Sequence, residues 1–184
     1  PVAIGEVIRR IVGKCLCATT KQDAQDFFGP LQVGVACKLG VDTAVHTCRK
    51  WANLHKHSQN KVMLKIDFSN AFNTISRESV LSKVRTTFPE LARWVTWCYA
   101  KPSNLLFGEH TISSTTGVQQ GDPLGPLLFS LAIHDTAKEL SIIEKPFRDG
   151  LCDPGCTLKR LLAIFDMNWI CTGRWSEALS HGTS

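Results

Sequence analysis

"KVMLKIDFSNAF", Lys61 to Phe72, is the stretch that decides the fold. Val62, Leu64 and Ile66 alternate with Met63, Lys65 and Asp67. In an extended chain the first set faces one way and the second set the other. One face is therefore apolar and the other carries a cation and a carboxylate. The pattern predicts a strand over 61–68, in an antiparallel sheet backed by helices and open to a cleft in front. Asp67 stands at the strand's end, on the open face beside Lys65. A carboxylate there can help to hold a divalent ion if others converge on it. It can equally cap the turn that follows.

On the N-terminal side, Ile4, Ile8, Ile11, Val12, Cys15 and Leu16 recur at helical spacing and predict an amphipathic helix over 4–17. Arg9, Arg10 and Lys14 fall on or beside its polar face. A short helix over 22–28 stops at Gly29-Pro30. "LQVGVACKLG" then reads as extended. A helix over 41–56 follows, with Val45, Cys48, Ala52 and Trp51 turned inward. On the C-terminal side, helices are predicted over 77–87 and 89–101, with Pro89 opening the second. "NLLFGEHTISS" reads as a hairpin turning at Gly108-Glu109. An apolar helix runs from Pro123 to about Leu140. Residues 145–157 look like loop and 158–170 like a strand.

"GVQQGDPLGPLLF", residues 117–129, is the second informative segment. Gly117 and Gly121 let backbone approach a ligand closely. Gln119 and Gln120 offer uncharged amides. The start of the following helix offers N–H groups and a positive dipole end to an anion. Taken alone, this is also an ordinary loop–helix junction.

The chain has 184 residues, a size for one domain or a piece of a larger one. Pro1 in place of Met points to a processed chain or a fragment, truncated at its start. Hydrophobic residues make up 43% and charged residues 20%, ordinary for a soluble globular protein. The net charge of +5 admits a polyanionic partner. No apolar run reaches the roughly 18 residues of a membrane span. No secretory signal is evident, which places the chain inside the cell, in nucleus or cytoplasm. Eight cysteines lack C-x-x-C spacing and read as free thiols in a reducing compartment. The competing reading is a zinc site built from Cys152, Cys156, Cys171 and His181.

Together, the two segments resemble reverse transcriptases of retroelements without long terminal repeats. "LKIDFSNAFNTISR" is similar to the family's first palm motif and "GVQQGDPLGPLLFSLAIH" to its second. "PVAIGEVIRRIVGKCL" is similar to the fingers segment that precedes them, so the resemblance covers roughly residues 1–140. It implies an α+β fold: a right-hand polymerase fragment of fingers and palm, an antiparallel palm sheet packed on helices, and no thumb. Residues 1–60 would be fingers-like, 61–144 the palm core with both motifs, and 145–184 an altered tail.

The resemblance also implies a reaction. A primer 3′-hydroxyl attacks the α-phosphate of a deoxynucleotide triphosphate on an RNA template, with two Mg²⁺ ions about 3.5–4 Å apart. Asp67 would hold both ions and the Phe68 carbonyl one of them. Phe72 occupies the steric-gate position that rejects a ribose 2′-hydroxyl, although core packing explains a Phe there as well. Gln120 and Gly121 would line the nucleotide pocket, with Lys65 a phosphate neighbour. Arg9, Arg10 and Lys14 would touch triphosphate or template, or else form a solvated helix face.

The family's third motif, an aromatic followed closely by Asp-Asp, is missing. The chain contains no Asp-Asp. Asp149 and Asp153 are single acids in loop-like sequence, and "PFRDGL" only faintly echoes the motif. Asp166 in "IFDMN" resembles the approach to that motif, and "WICTGRW" stands in its place. Codons for Trp169 to Trp175, read one base along with a CGN codon for Arg174, permit Gly-Tyr-(Val or Ala)-Leu-Asp-Asp-Gly. A change of reading frame near Asn168 is therefore expected, and with it a polymerase that is impaired or inactive. Other readings are a catalytically dead nucleic-acid-binding remnant, a relic that binds nothing, and the zinc protein. An RNA-directed RNA polymerase would share the palm logic, but Phe72 argues against it.

Overall fold

The computed structural model describes residues 6–57, 61–66, 68–148 and 160–165. Asp67, the loop acids Asp149 and Asp153, Asp166, the late cysteines with His181, and the "WICTGRW" segment lie outside the described residues.

The chain opens with helices α1 (Val7–Thr19) and α2 (Lys21–Phe28), then a single 3-10 turn (Gly29–Leu31) and helix α3 (Gly40–His55). Strand β1 (Lys61–Ile66) leads into the short helix α4 (Ala71–Thr74) and the longer α5 (Arg77–Thr87) and α6 (Pro89–Tyr99). A hairpin follows, β2 (Ser103–Phe107) with β3 (His110–Ser114), then the long helix α7 (Gly125–Arg148) and strand β4 (Arg160–Phe165). The fold is α+β and mostly helical. No described helix is long and apolar enough to cross a membrane.

The local reasons are plain. Ser76 caps α5, its hydroxyl accepting from the Ser79 amide at 3.3 Å. Pro89 sits at the first turn of α6, where its missing N–H costs nothing. Gly29, at φ +52°, closes α2. Asn70, at φ +54°, starts α4 and accepts from the Asn73 amide nitrogen at 2.6 Å.

The core lies among α2, α5, α6 and α7. Phe28, Val80, Val84, Leu91, Val95, Leu124, Leu128 and Leu131 are all essentially sealed from solvent. α5 packs on both α6 and α7, and α7 also meets the 3-10 turn and β4. Burying this many aliphatic and aromatic side chains, each contributing about 1.5–3 kcal/mol, is what holds the helical layer.

Four sequence expectations change. The sheet containing β1 was expected to be antiparallel, yet β1 pairs with β4 in parallel, Lys61 opposite Arg160 through Ile66 opposite Phe165. The long helical crossover between them returns the chain to the same end, as a parallel pair requires. The antiparallel sheet among the described residues is the β2–β3 hairpin. Second, "LQVGVACKLG" is not extended. It folds through bends and turns, with Ala36 and Leu39 at positive φ. Third, α3 buries little: Ala52 is exposed, and Val45, Cys48 and Trp51 are only half-buried. Fourth, α7 runs to Arg148, so the loop-like reading of 145–157 begins too early.

Candidate active site

The two motif segments meet through their backbones. The Val118 amide donates to the Phe72 carbonyl at 2.7 Å, and the Gly117 amide to the Ile75 carbonyl at 3.0 Å. Thr116 adds a hydroxyl bond to the Asn73 carbonyl at 3.0 Å. Gly117 sits at φ +72°, and a Cβ there would lie 2.4 Å from the backbone of Phe72 and Asn73. The close approach that Gly117 permits is thus to its own chain rather than to a ligand.

Phe72 is buried beneath this junction, stacked on Phe129 of α7 with centroids 5.0 Å apart and planes 20° apart. A Cβ at Gly125 would only touch the Phe72 ring edge, at 3.7 Å, but would crowd the Gln119 carbonyl at 3.2 Å. Phe68 is exposed, its ring standing edge-on to Phe129 at 6.4 Å. Gln120 and Gly121 are half-buried in the turn before α7. Lys65 falls on β1, but its side chain lies outside the described ones.

Asp122 organises the other end of the loop, and it was not singled out from sequence. Its carboxylate is buried and accepts from the Tyr99 hydroxyl at 2.6 Å, the Leu124 amide at 3.0 Å and an Arg9 guanidinium nitrogen at 3.4 Å. Tyr99 in turn accepts from the Gln119 amide at 3.2 Å. The start of α7 therefore already holds an anion, the protein's own, and does not offer free N–H groups at that point. Burial, then the charge of Asp122 and the bond to it, push the Tyr99 hydroxyl far above its usual range, so it remains a donor. Burial works against the Arg9 cation, but its neighbours Tyr99, Cys98 and Asp122 outweigh that and hold it above its ordinary value.

Arg9 is thus drawn into the interior, stacked over the Tyr99 ring at 5.1 Å, while Arg10 and Lys14 remain exposed on α1. Arg77 lies across the same ring at 5.5 Å. Tyr99 lies outside both motif segments, and Arg77 is the last residue of the first, where sequence alone gave it no role. What each of them does there is legible only once the fold brings them to the loop.

An Mg²⁺ pair needs several converging oxygen ligands. Asp67 and the Phe68 carbonyl have the oxygen chemistry such an ion takes. Among the described residues no group of three or more His, Cys, Asp or Glu is placed to hold a metal ion. Asp122 is already engaged by three donors. The described residues by themselves assemble no two-metal centre.

Comparison with known proteins agrees with the geometry. The profile of the family described as "Reverse transcriptase (RNA-dependent DNA polymerase)" matches residues 7–147. The "Retrotransposable element SLACS 132 kDa protein" of Trypanosoma brucei gambiense is 29% identical over 147 residues, 76% of this chain and 12% of that protein. The chain thus spans about an eighth of the length of this relative. No solved structure matches. With both motif segments docked on one another and three quarters of its length matched, the chain belongs to the reverse transcriptase family.

Proposed function

We propose that this chain is the fingers-and-palm segment of a retrotransposon RNA-directed DNA polymerase, and that in its present form it does not polymerise. The observation that carries the reading is the backbone docking of the Phe72–Ile75 turn on Gly117–Val118, between the two segments similar to the family's motifs. Asp67 is the catalytic carboxylate and, with the Phe68 carbonyl, a metal ligand. Phe72 gates the sugar, braced by Phe129. Gln120, Gly121 and Lys65 line the nucleotide site. Arg10 and Lys14 contact phosphate, and Arg9 joins them only by leaving Asp122. RNA template, DNA primer and deoxynucleotide triphosphates are the substrates.

Mg²⁺, when bound in an intact family member, supplies charge stabilisation at the attacking and leaving oxygens. Here the ligand set is short of carboxylates, because "WICTGRW" stands where Asp-Asp is expected. We attribute this to a change of reading frame near Asn168. The purified chain should show no Mg²⁺-dependent primer extension. Robust extension that Asp67→Asn abolishes would overturn the inactivity. The bases encoding 168–175 must spell Asp-Asp one position along, or the frame explanation fails.

The second reading, a nucleic-acid-binding remnant, is favoured by the net charge of +5 and the exposed cations of α1. A primer–template shift that weakens steeply with salt supports it.

A further inference from the structure

We propose that the pocket between the start of α5 and the end of α6 binds a phosphate group. It encloses about 410 Å³ and is lined by Arg77, Glu78, Ser82, Arg85, Lys101 and Thr115, among others. Three cations thus face one carboxylate, with two hydroxyls as further donors.

Arg77 is the reason to look here. Only 8% of it is exposed, yet all its hydrogen bonds go to neutral acceptors. Nε donates to the Gly117 carbonyl at 2.8 Å. Nη1 donates to the carbonyls of Ser114 at 2.8 Å and Lys101 at 3.5 Å. Nη2 donates to the Ser114 hydroxyl at 2.8 Å. Five N–H groups make a guanidinium, so one on Nη2 is left over. Among the described residues no ion pair joins Arg77 to a carboxylate. Arginine is rarely buried without a counter-charge, because carbonyls solvate the cation without neutralising it. Asp122, the acid bonded to the Tyr99 hydroxyl, is taken by Arg9, which adds a second cation to the same ring. Burial and the charge of Arg9 both pull the Arg77 guanidinium below its ordinary value. An anion in the pocket supplies the missing charge.

Phosphate fits better than a single carboxylate. It brings more acceptor oxygens and up to two charges to a site with three cations and two hydroxyls. The group can be free phosphate or one linkage of a nucleic-acid strand crossing the pocket mouth. The site does not depend on whether the chain polymerises.

The test is titration calorimetry at low salt on the whole chain, with inorganic phosphate and with a short single-stranded DNA oligonucleotide. Arg77 is left alone because it ties three segments together. The double variant Arg85→Gln/Lys101→Gln should weaken binding about tenfold with unchanged circular dichroism and Tm. Glu78→Gln, which removes the only acid named on the rim, should tighten it. Both sources uphold the site: if the oligonucleotide displaces phosphate the physiological group belongs to a strand, and if it does not the group is free phosphate. No binding of either probe to the wild type, or equal affinity in all three proteins, overturns the proposal.

Discussion

The loop between β3 and α7 is fastened at both ends, by different physics. At Gly117–Val118 it is held to the Phe72–Ile75 turn by backbone amides and carbonyls, and the side chain that matters is the one Gly117 lacks. At Asp122 it is held through side chains: a carboxylate, a phenol and a guanidinium drawn from three different helical neighbourhoods, with the Leu124 and Gln119 amides donating to the first two. A backbone junction depends on shape and is indifferent to pH. A side-chain junction depends on charge, and each member exposes the others when it is removed.

The largest effect should come from the backbone end. Gly117→Val places a β-branched residue at φ +72° and drives a Cβ to within 2.4 Å of fixed backbone. We expect a loss of about 3 kcal/mol or more, or failure to fold, by urea denaturation. A variant with wild-type stability would show that the two motif segments are not docked this closely.

Next is Asp122→Ala, which strands the Arg9 cation, the Tyr99 hydroxyl and the Leu124 amide. A cost of about 3 kcal/mol is expected. Arg9→Met in the same chain should recover part of it, since the uncompensated charge goes too. If the double variant is no better than the single one, the ion pair is not what fastens this end. Tyr99→Phe removes one buried hydroxyl from the chain of bonds and should cost about 1–2 kcal/mol. Equal losses for Tyr99→Phe and Asp122→Ala would mean that Tyr99, not Asp122, is the hub.

The two ends also part company in alkali. Burial pushes the Cys17 and Cys98 thiols up from 9.0 to about 11, and the charge of Asp122 adds to the rise. Their folded values lie above their unfolded ones. The stability they contribute is therefore complete below about pH 9 and fades as pH climbs toward 11. Tyr99 acts in the same direction. Denaturation midpoints should fall between pH 9 and 11, and Gly117 variants should add to that slope nothing of their own. Alkylation at pH 8.5 should label exposed Cys15 well before Cys17 or Cys98; equal labelling would show that the α1–α7 junction is open. The smallest effect belongs to a pair remote from both ends. Lys83 and Asp135 bridge α5 and α7 near solvent, and Lys83→Met should change stability by less than about 0.5 kcal/mol.

Much of this was legible in one dimension. Apolar spacing, turn residues and prolines located α1, α2, α5, α6, the β2–β3 hairpin and the start of α7 to within a few residues. In α5 and α6 the apolar residues Val80, Val84, Leu91 and Val95 are buried, whereas Ile8 and Ile11 of α1, expected on its apolar face, are exposed. The two motif segments were visible as strings. α3 misled: Val45, Cys48, Trp51 and Ala52 have helical spacing, but no described element covers them fully. The role of Gly117 was legible in kind and wrong in object, since a glycine announces close approach but not to what.

Sequence by itself determined the family resemblance, the helix order and the absence of an Asp-Asp pair from these 184 residues, all of which are properties of neighbours along the chain. Tertiary structure alone decided that β1 and β4 run parallel, that Asp122 fills the helix end offered to an anion, and that Arg77 is buried with no carboxylate paired to it among the described residues. Each of these depends on groups far apart in sequence, Arg9 and Asp122 by 113 positions. The energy of a buried charge is set by what surrounds it in space, and no local pattern encodes that.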